Sequence, residues 1–346
     1  MKALIIHNPD AGQRDRLEEL RLVTEALQHI GWQVALAEVG DGGSATDHAR
    51  RAVAEGCDTV FVAGGDGTIS RVVDGLIGTT TALAVLPAGT GNVLARQLNL
   101  PVPDVFRPRP MLDSLQLLLA GQIRAVDVGR ATVAGGASRH FICWSGVGFD
   151  AQVTKAVDAE RDRKARLGMA AFVLTALRTL REYGGTGAIV RIDGERLRQR
   201  LIMLVANNIQ LYGAWIKMAP RATLDDGWLD VYTFRGRAPL PTFWRALRLL
   251  FDRRSQIPEI QVHRAQRIEI ISSRPLPVHV DGDTIGNTPA VIEIVPQALR
   301  LHVPSSTPAN LFADGVTADE SETVVEWVAR VARDAQTVFL GKGGPS

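Results

Sequence analysis

Residues 58–68 read DTVFVAGGDGT: an apolar run without alternation, then two glycines, an aspartate, a third glycine and a threonine. An unalternating strand is buried on both faces, the mark of a parallel sheet covered by helices. Ile69 to Leu76 follows with helical character, so the glycines stand at a strand-to-helix junction. Glycine lets backbone N–H groups approach a ligand closely, and a helix N-terminus adds positive partial charge, a combination that suits phosphate. Asp66 is out of place among phosphate-cradling amides unless it acts through a metal or a water, or accepts a hydrogen bond from a ribose or substrate hydroxyl. The alternative is a tight glycine turn capped by that aspartate.

Outward from this junction the pattern repeats. Upstream, ALIIH (residues 3–7) reads as a strand ending at Asn8-Pro9, followed by a helix from Leu17 to Ile30, a strand from Trp32 to Val39 and a helix from Ser44 to Glu55. Downstream, TTALAVL (residues 80–86) runs into Pro87-Ala88-Gly89-Thr90-Gly91-Asn92 and a helix from Asn92 to Leu98. Two glycine turns at neighbouring strand ends, with Asn8 on the same edge, can face one ligand beyond the carboxyl ends of the strands. Neither turn has the Gly-Lys-Ser/Thr ending of a P-loop, and neither fits GxGxxG.

After a helix at Met111 to Ala120 the chain changes character. From Ala125 to Val303 strand-like runs are joined mostly by turns, with helical patterns only at residues 165–181 and 241–251, which suggests an antiparallel sandwich or barrel. The expected organisation is an α/β N-terminal domain over residues 1–124, with a parallel sheet and helices, and a β-rich, sandwich-like second domain over 125–304. The last strands of the second domain are expected to pack back on the first. Residues 305–346 form a tail with an amphipathic helix bearing Val324, Trp327, Val328, Val331 and Ala335, suited to docking on its own domain or to a homodimer or membrane contact.

The composition bounds the rest. With 346 residues, 46% hydrophobic, 22% charged and a net charge of +2, the chain is neither disordered nor built for nucleic acid over its whole surface. Two cysteines, Cys57 and Cys143, are too few for a disulfide framework or zinc site, which points to a reducing, cytoplasmic interior. No apolar run reaches the ~18 residues of a membrane span, and the N-terminus lacks a signal peptide's h-region.

Six motifs in order then carry a resemblance: Asn8-Pro9 with Gly12, the Gly64–Thr68 turn, Leu86 to Asn92, Gly146-Val147-Gly148-Phe149-Asp150, Asp226-Gly227-Trp228-Leu229-Asp230, and Asp281-Gly282-Asp283. Over residues 1–304 the chain resembles the lipid kinases with a diacylglycerol-kinase catalytic domain, which include bacterial diacylglycerol kinases and sphingosine kinases. The resemblance implies an NAD-kinase-like first domain and ATP-dependent phosphoryl transfer to a lipid hydroxyl, with a diacylglycerol-like or sphingoid acceptor. It further implies that Gly64, Gly65, Asp66, Gly67, Thr68, Ser70 and Thr90 bind ATP, with Asn8 and Asn92 beside the phosphates. Mg2+ would sit at Asp226 with the carbonyls of Thr223 and Trp228, and Asp283 would accept the proton, with Asp281 and Asp66 completing the catalytic set.

The chain also departs from that family. Asp283 stands where the family has Glu, about one methylene shorter, so either the site shifts inward or Asp281 takes a larger share. Ile69-Ser70-Arg71 replaces Ile/Leu-Asn-Glu, exchanging a carboxylate for a cation; residues 34–38 offer no hydroxyl; and Val93 follows Asn92 where many members have Asp. For the lipid, basic residues 161–166 beside apolar 167–180, and the Phe-Trp-Arg mixture at 241–248, suit peripheral contact with an anionic membrane surface. Two alternatives remain open: an NAD-kinase-like phosphotransferase, and a catalytically impaired regulator that binds nucleotide or lipid.

Overall fold

The computed structural model describes residues 1–11, 16–40, 44–89, 91–103, 107, 109–152, 184–213, 216–236 and 260–315. The helices expected at 165–181, at 241–251 and in the tail lie outside the described residues, as do both basic segments, Gly12 and Thr90.

Four parallel strands, β1 (Lys2–His7), β2 (Gln33–Glu38), β3 (Thr59–Gly64) and β4 (Ala82–Pro87), lie in the order β2-β1-β3-β4. They alternate with helices α1 (Leu17–His29), α2 (Ala45–Ala54), α3 (Asp66–Leu76), α4 (Val93–Gln97) and α5 (Pro110–Leu119). β3 and β4 are buried at every position, as unalternating strands in the middle of such a sheet must be. β2, at the edge, exposes Gln33, Ala35, Leu36 and Glu38. The helix after the glycine turn begins at Asp66 and not at Ile69: Gly65 is its N-cap, and a carboxylate in the first turn suits the helix dipole.

The second region is antiparallel. It comprises β5 (Gln122–Val133), β6 (Ser138–Phe141), β7 (Trp144–Gly148), β8 (Thr186–Ile192), β9 (Glu195–Asn207), the short pair β10 (Leu211–Tyr212) and β11 (Ile216–Lys217), and β12 (Leu229–Arg235). It ends with β13 (Ile260–Ala265), β14 (Arg267–Ser272), β15 (Pro277–Val280), β16 (Asp283–Asn287) and β17 (Ala290–Val303). β17 joins the two regions. Its first half pairs antiparallel with β14 and β5; past an irregularity between Val295 and Leu299, it runs parallel to β4 through Arg300 and Leu301. The buried Asp127 holds that irregularity, accepting from the Gln297 N–H at 2.7 Å and the Gly227 N–H at 2.6 Å.

The run from His140 to Val147 reads as one strand in the sequence, but the structure breaks it into β6 and β7. The corner at Ile142-Cys143 turns its amides out of the ladder, and a carboxylate from the far end of the chain receives them, as described next. No helix among the described residues is long and apolar enough to cross a membrane.

Candidate active site

The two glycine turns meet backbone to backbone. A Cβ on Gly89 would stand 2.8 Å from the Gly65 Cα and 2.9 Å from Asn92 Oδ1, so only glycine permits this approach. Asn92 is fully buried, adopts a left-handed φ of 47° and donates from Nδ2 to the Gly64 carbonyl at 3.2 Å. Asp66 completes the junction: its Oδ1 accepts from the Val93 N–H at 2.7 Å, and a Cβ on Gly91 would lie 2.8 Å from its Oδ2. Burial pushes its carboxyl up, and the amides of Val93, Leu94 and Asn92 pull it back. Asp66 thus ties the end of β3 to the start of α4.

Asn8 brings in the end of β1. Its Nδ2 donates to Thr68 Oγ1 at 2.9 Å and its Oδ1 accepts from the Asp10 N–H at 3.1 Å. Gly64, Gly65, Asp66, Gly67, Thr68, Asn8 and Asn92 therefore share one edge. Ser70 does not join them: it is buried, and its hydroxyl donates to the His140 carbonyl of β6 at 3.5 Å. One helical turn past Asp66 it points into the protein.

The Asp281-Gly282-Asp283 turn links β15 to β16, with left-handed φ values of 46° at Asp281 and 93° at Gly282, as a tight hairpin requires. Asp281 is the carboxylate at the β6–β7 corner. Its Oδ1 accepts from the N–H groups of Cys143 at 2.9 Å and Trp144 at 3.0 Å, and its Oδ2 from that of Ile142 at 2.9 Å. Burial pushes its carboxyl up to about 6 against the pull of those amides, and the charge of Asp66 adds to the rise. Asp281, expected to share proton acceptance, is instead placed by the structure as a buried carboxylate engaged by three amides, a position that fixes backbone.

Asp283 is open. Its side chain is 30% exposed, and it lies over the first turn of α3, where a Cβ on Gly67 would stand 3.6 Å from its Oδ1. The hairpin and the glycine junction therefore face each other across Gly67. Asp283 Oδ2 has two cationic neighbours, Arg71 Nη2 at 3.4 Å and Arg139 Nη2 at 3.9 Å. Arg139 is held in turn by Asp74, which accepts from its Nε at 2.5 Å and from the His140 N–H at 3.0 Å. Burial raises the Asp74 carboxyl, but the bonds from His140 and the nearby Arg139 outweigh it and leave it below its usual range. Arg71, a departure from the family pattern, thus lands on the candidate base. Arg139, Asp74 and His140 escaped the sequence reading because Asp74 comes from α3 and the other two from β6, so they form no local motif.

Asp226 lies in the loop before β12 and is occupied differently from what the resemblance implies. Its Oδ1 accepts from the Trp228 N–H at 3.0 Å, and its Oδ2 from Arg264 Nη2 at 2.5 Å. The guanidinium also sits 5.5 Å from the centre of the Trp228 ring. A divalent ion on this carboxylate has to compete with a guanidinium, so Asp226 as it is placed here does not fit a Mg2+ site.

Known proteins share this architecture. The domain family described as diacylglycerol kinase catalytic domain matches residues 2–131, and the YegS C-terminal NAD kinase beta sandwich-like domain matches residues 145–303. A diacylglycerol kinase of Bacillus subtilis (strain 168) is 27% identical over 291 residues, spanning 83% of this chain and 91% of its own. A protein of Chromohalobacter salexigens named as a YegS-like lipid kinase is 29% identical over 281 residues, covering 79% of this chain and 84% of its own. A crystal structure of a diacylglycerol-kinase-type protein from Bacillus anthracis str. Sterne superposes with a TM-score of 0.70 at 25% identity, over 88% of this chain and 98% of that one.

Proposed function

The chain belongs to the lipid kinases that carry a diacylglycerol-kinase catalytic domain, and from that premise we propose that it transfers the γ-phosphoryl group of ATP to a hydroxyl of a membrane lipid. The observation that carries this reading is the placement of Asp283 over Gly67: a half-open carboxylate facing the one edge where two glycine turns and a helix N-terminus bare their amides.

The roles follow from position. Amides of the Gly65–Gly67 turn and of the turn after β4 receive phosphate oxygens, aided by the α3 dipole. Asp66 and Asn92 are not phosphate ligands but hold the two turns together. The acceptor hydroxyl enters from the second region and gives its proton to Asp283 as the phosphoryl group moves. Arg71 and Arg139 orient Asp283 from one side and lie beside the path of the negative charge. Mg2+, if bound with ATP, would supply further neutralising charge; Asp226 is held by Arg264.

A diacylglycerol-like or sphingoid acceptor and peripheral contact with an anionic membrane complete the proposal, the latter resting on the basic and apolar segments at 161–180 and 241–248. Labelled ATP offered with vesicles of diacylglycerol, sphingosine or an isoprenol, and separately with NAD, tests it. Label in a lipid product is expected. Label on NAD alone, or nucleotide binding with no transfer to any lipid, overturns it. Exchanging Arg163, Lys164 and Arg166 for Glu should release the protein from anionic vesicles.

A further inference from the structure

β15 reads Pro-Val-His-Val and is buried at all four positions, so an imidazole stands where an aliphatic side chain would fill the space without polar partners. His279 is 1% exposed. Its Nε2 lies 2.7 Å from Oδ2 of Asp150, a second buried polar group, whose Oδ1 accepts the hydroxyl of Tyr212. Burial and the charge of Asp150 push the Tyr212 phenol well above its usual range, which keeps it a donor. On the other side of the ring, Nδ1 accepts the Gly282 N–H at 3.3 Å. That bond fixes the tautomer: the proton is on Nε2, directed at Asp150.

The surroundings are built to hold this ring. Trp144 packs edge-on against it, with centroids 6.4 Å apart and planes at 83°. A Cβ on Gly146 would fall on Asp150 Oδ2 and His279 Nε2, so the Gly146-Val147-Gly148-Phe149-Asp150 motif makes room for the pair as well as supplying half of it. The ring reaches across the hairpin to the backbone of the residue before Asp283, in the left-handed part of the turn.

We infer that His279, oriented by Asp150 and Tyr212, is a positioning residue that sets the Asp281-Gly282-Asp283 turn and with it the reach of Asp283. This rests on Asp283 being the proton acceptor proposed above. Asp281 secures one side of the turn through the β6–β7 corner, and His279 secures the other through the Gly282 amide. The arrangement answers the shorter side chain of Asp283: a base with less reach depends more on where its backbone is held.

Two amide substitutions separate the ring's two bonds. In His279→Asn the side-chain oxygen replaces Nδ1 as acceptor for Gly282 but cannot reach Asp150; in His279→Gln the amide reaches Asp150 but leaves the Gly282 N–H without its acceptor. Both are measured by lipid phosphorylation and by hydrogen exchange of the peptide covering the hairpin. His279→Gln should lower kcat about 10–100-fold with KM for ATP unchanged, and its hairpin amides should exchange faster, while His279→Asn, which keeps the Gly282 acceptor and loses the orienting carboxylate, should show only a several-fold loss of kcat and a smaller rise in exchange. Equal behaviour of the two variants overturns the inference. Should either fail to fold, Tyr212→Phe keeps it testable: a several-fold lower kcat with faster hairpin exchange is expected, and no change in either contradicts it. Exchange is read without turnover, so a protein that phosphorylates no lipid refutes the proposed function and leaves the positioning claim to be decided separately.

Discussion

The glycine junction and the Asp281–Asp283 hairpin face each other across Gly67, and they are built in opposite ways. At the junction, side chains are removed so that backbones touch: Gly65 lies against Gly89, and Asp66 and Asn92 pin the contact. At the hairpin, side chains are added so that backbone is held at a distance: Asp281 grips three amides of the β6–β7 corner, and His279 grips one of the turn. A steric fit fails abruptly when volume is added and is indifferent to pH. A scaffold of buried side-chain hydrogen bonds loosens bond by bond, and its carboxylate responds to protonation. The half proposed to receive phosphate should therefore be rigid, and the half proposed to receive the lipid hydroxyl tunable.

The largest effect is expected at the junction. Gly89→Ala places a methyl group 2.8 Å from the Gly65 Cα, so the turns must part; phosphoryl transfer should fall by about 100-fold or more, measured as kcat/KM for ATP. An alanine there with normal kinetics would mean that the two turns do not work as one site. At the hairpin, Asp281→Ala leaves three buried N–H groups without an acceptor, and urea unfolding should show a loss of about 3 kcal/mol or more.

Two buried groups outside the steric junction respond to protonation with opposite sign. The buried His302, on the stretch of β17 beside β4, is pushed down to about 4 by burial. Its unfolded form binds a proton near 6.5 and its folded form does not, so its contribution to stability is present above 6.5 and is lost as pH falls toward 4. Asp281, raised to about 6, has the opposite sign: the folded protein takes up its proton first, so between 6 and 4 acid favours folding. The stability difference between wild type and His302→Asn should shift against the wild type by about 3 kcal/mol on going from pH 6.5 to 4. The corresponding difference for Asp281→Asn should shift toward the wild type over the lower window. Parallel slopes for the two pairs would erase the distinction.

The smallest effect concerns Asp226. Because Arg264 already supplies its positive partner, removing Mg2+ with a chelator should leave the melting temperature of the wild type within about 1 °C, whereas Arg264→Ala should make it sensitive to Mg2+. A wild type that melts markedly lower in chelator would restore the metal to that carboxylate.

Much of the nucleotide side was legible in the sequence because its signals are local. Unbroken apolar runs marked β3 and β4, and glycines placed directly after them marked the turns. The hairpin was legible only as a motif. Nothing local to Asp281 shows that its partners are amides some 140 positions earlier, because backbone donors leave no signature in residue type. The same holds for the charged set at Asp283: Arg139 and Asp74 meet only through the packing of β6 against α3. β16 (Asp283–Asn287) was missed because its polar residues look like loop until the hairpin gives it a partner. His279 did leave a trace, as a single imidazole in an otherwise apolar strand.

The account stands most directly on Asp283. Turnover of Asp283→Asn on the best lipid acceptor should be measured together with its affinity for ATP and its circular dichroism. The account predicts a kcat lower by about 10²–10⁴-fold, with nucleotide affinity and fold retained. Turnover close to wild type would contradict it and remove Asp283 from the chemistry.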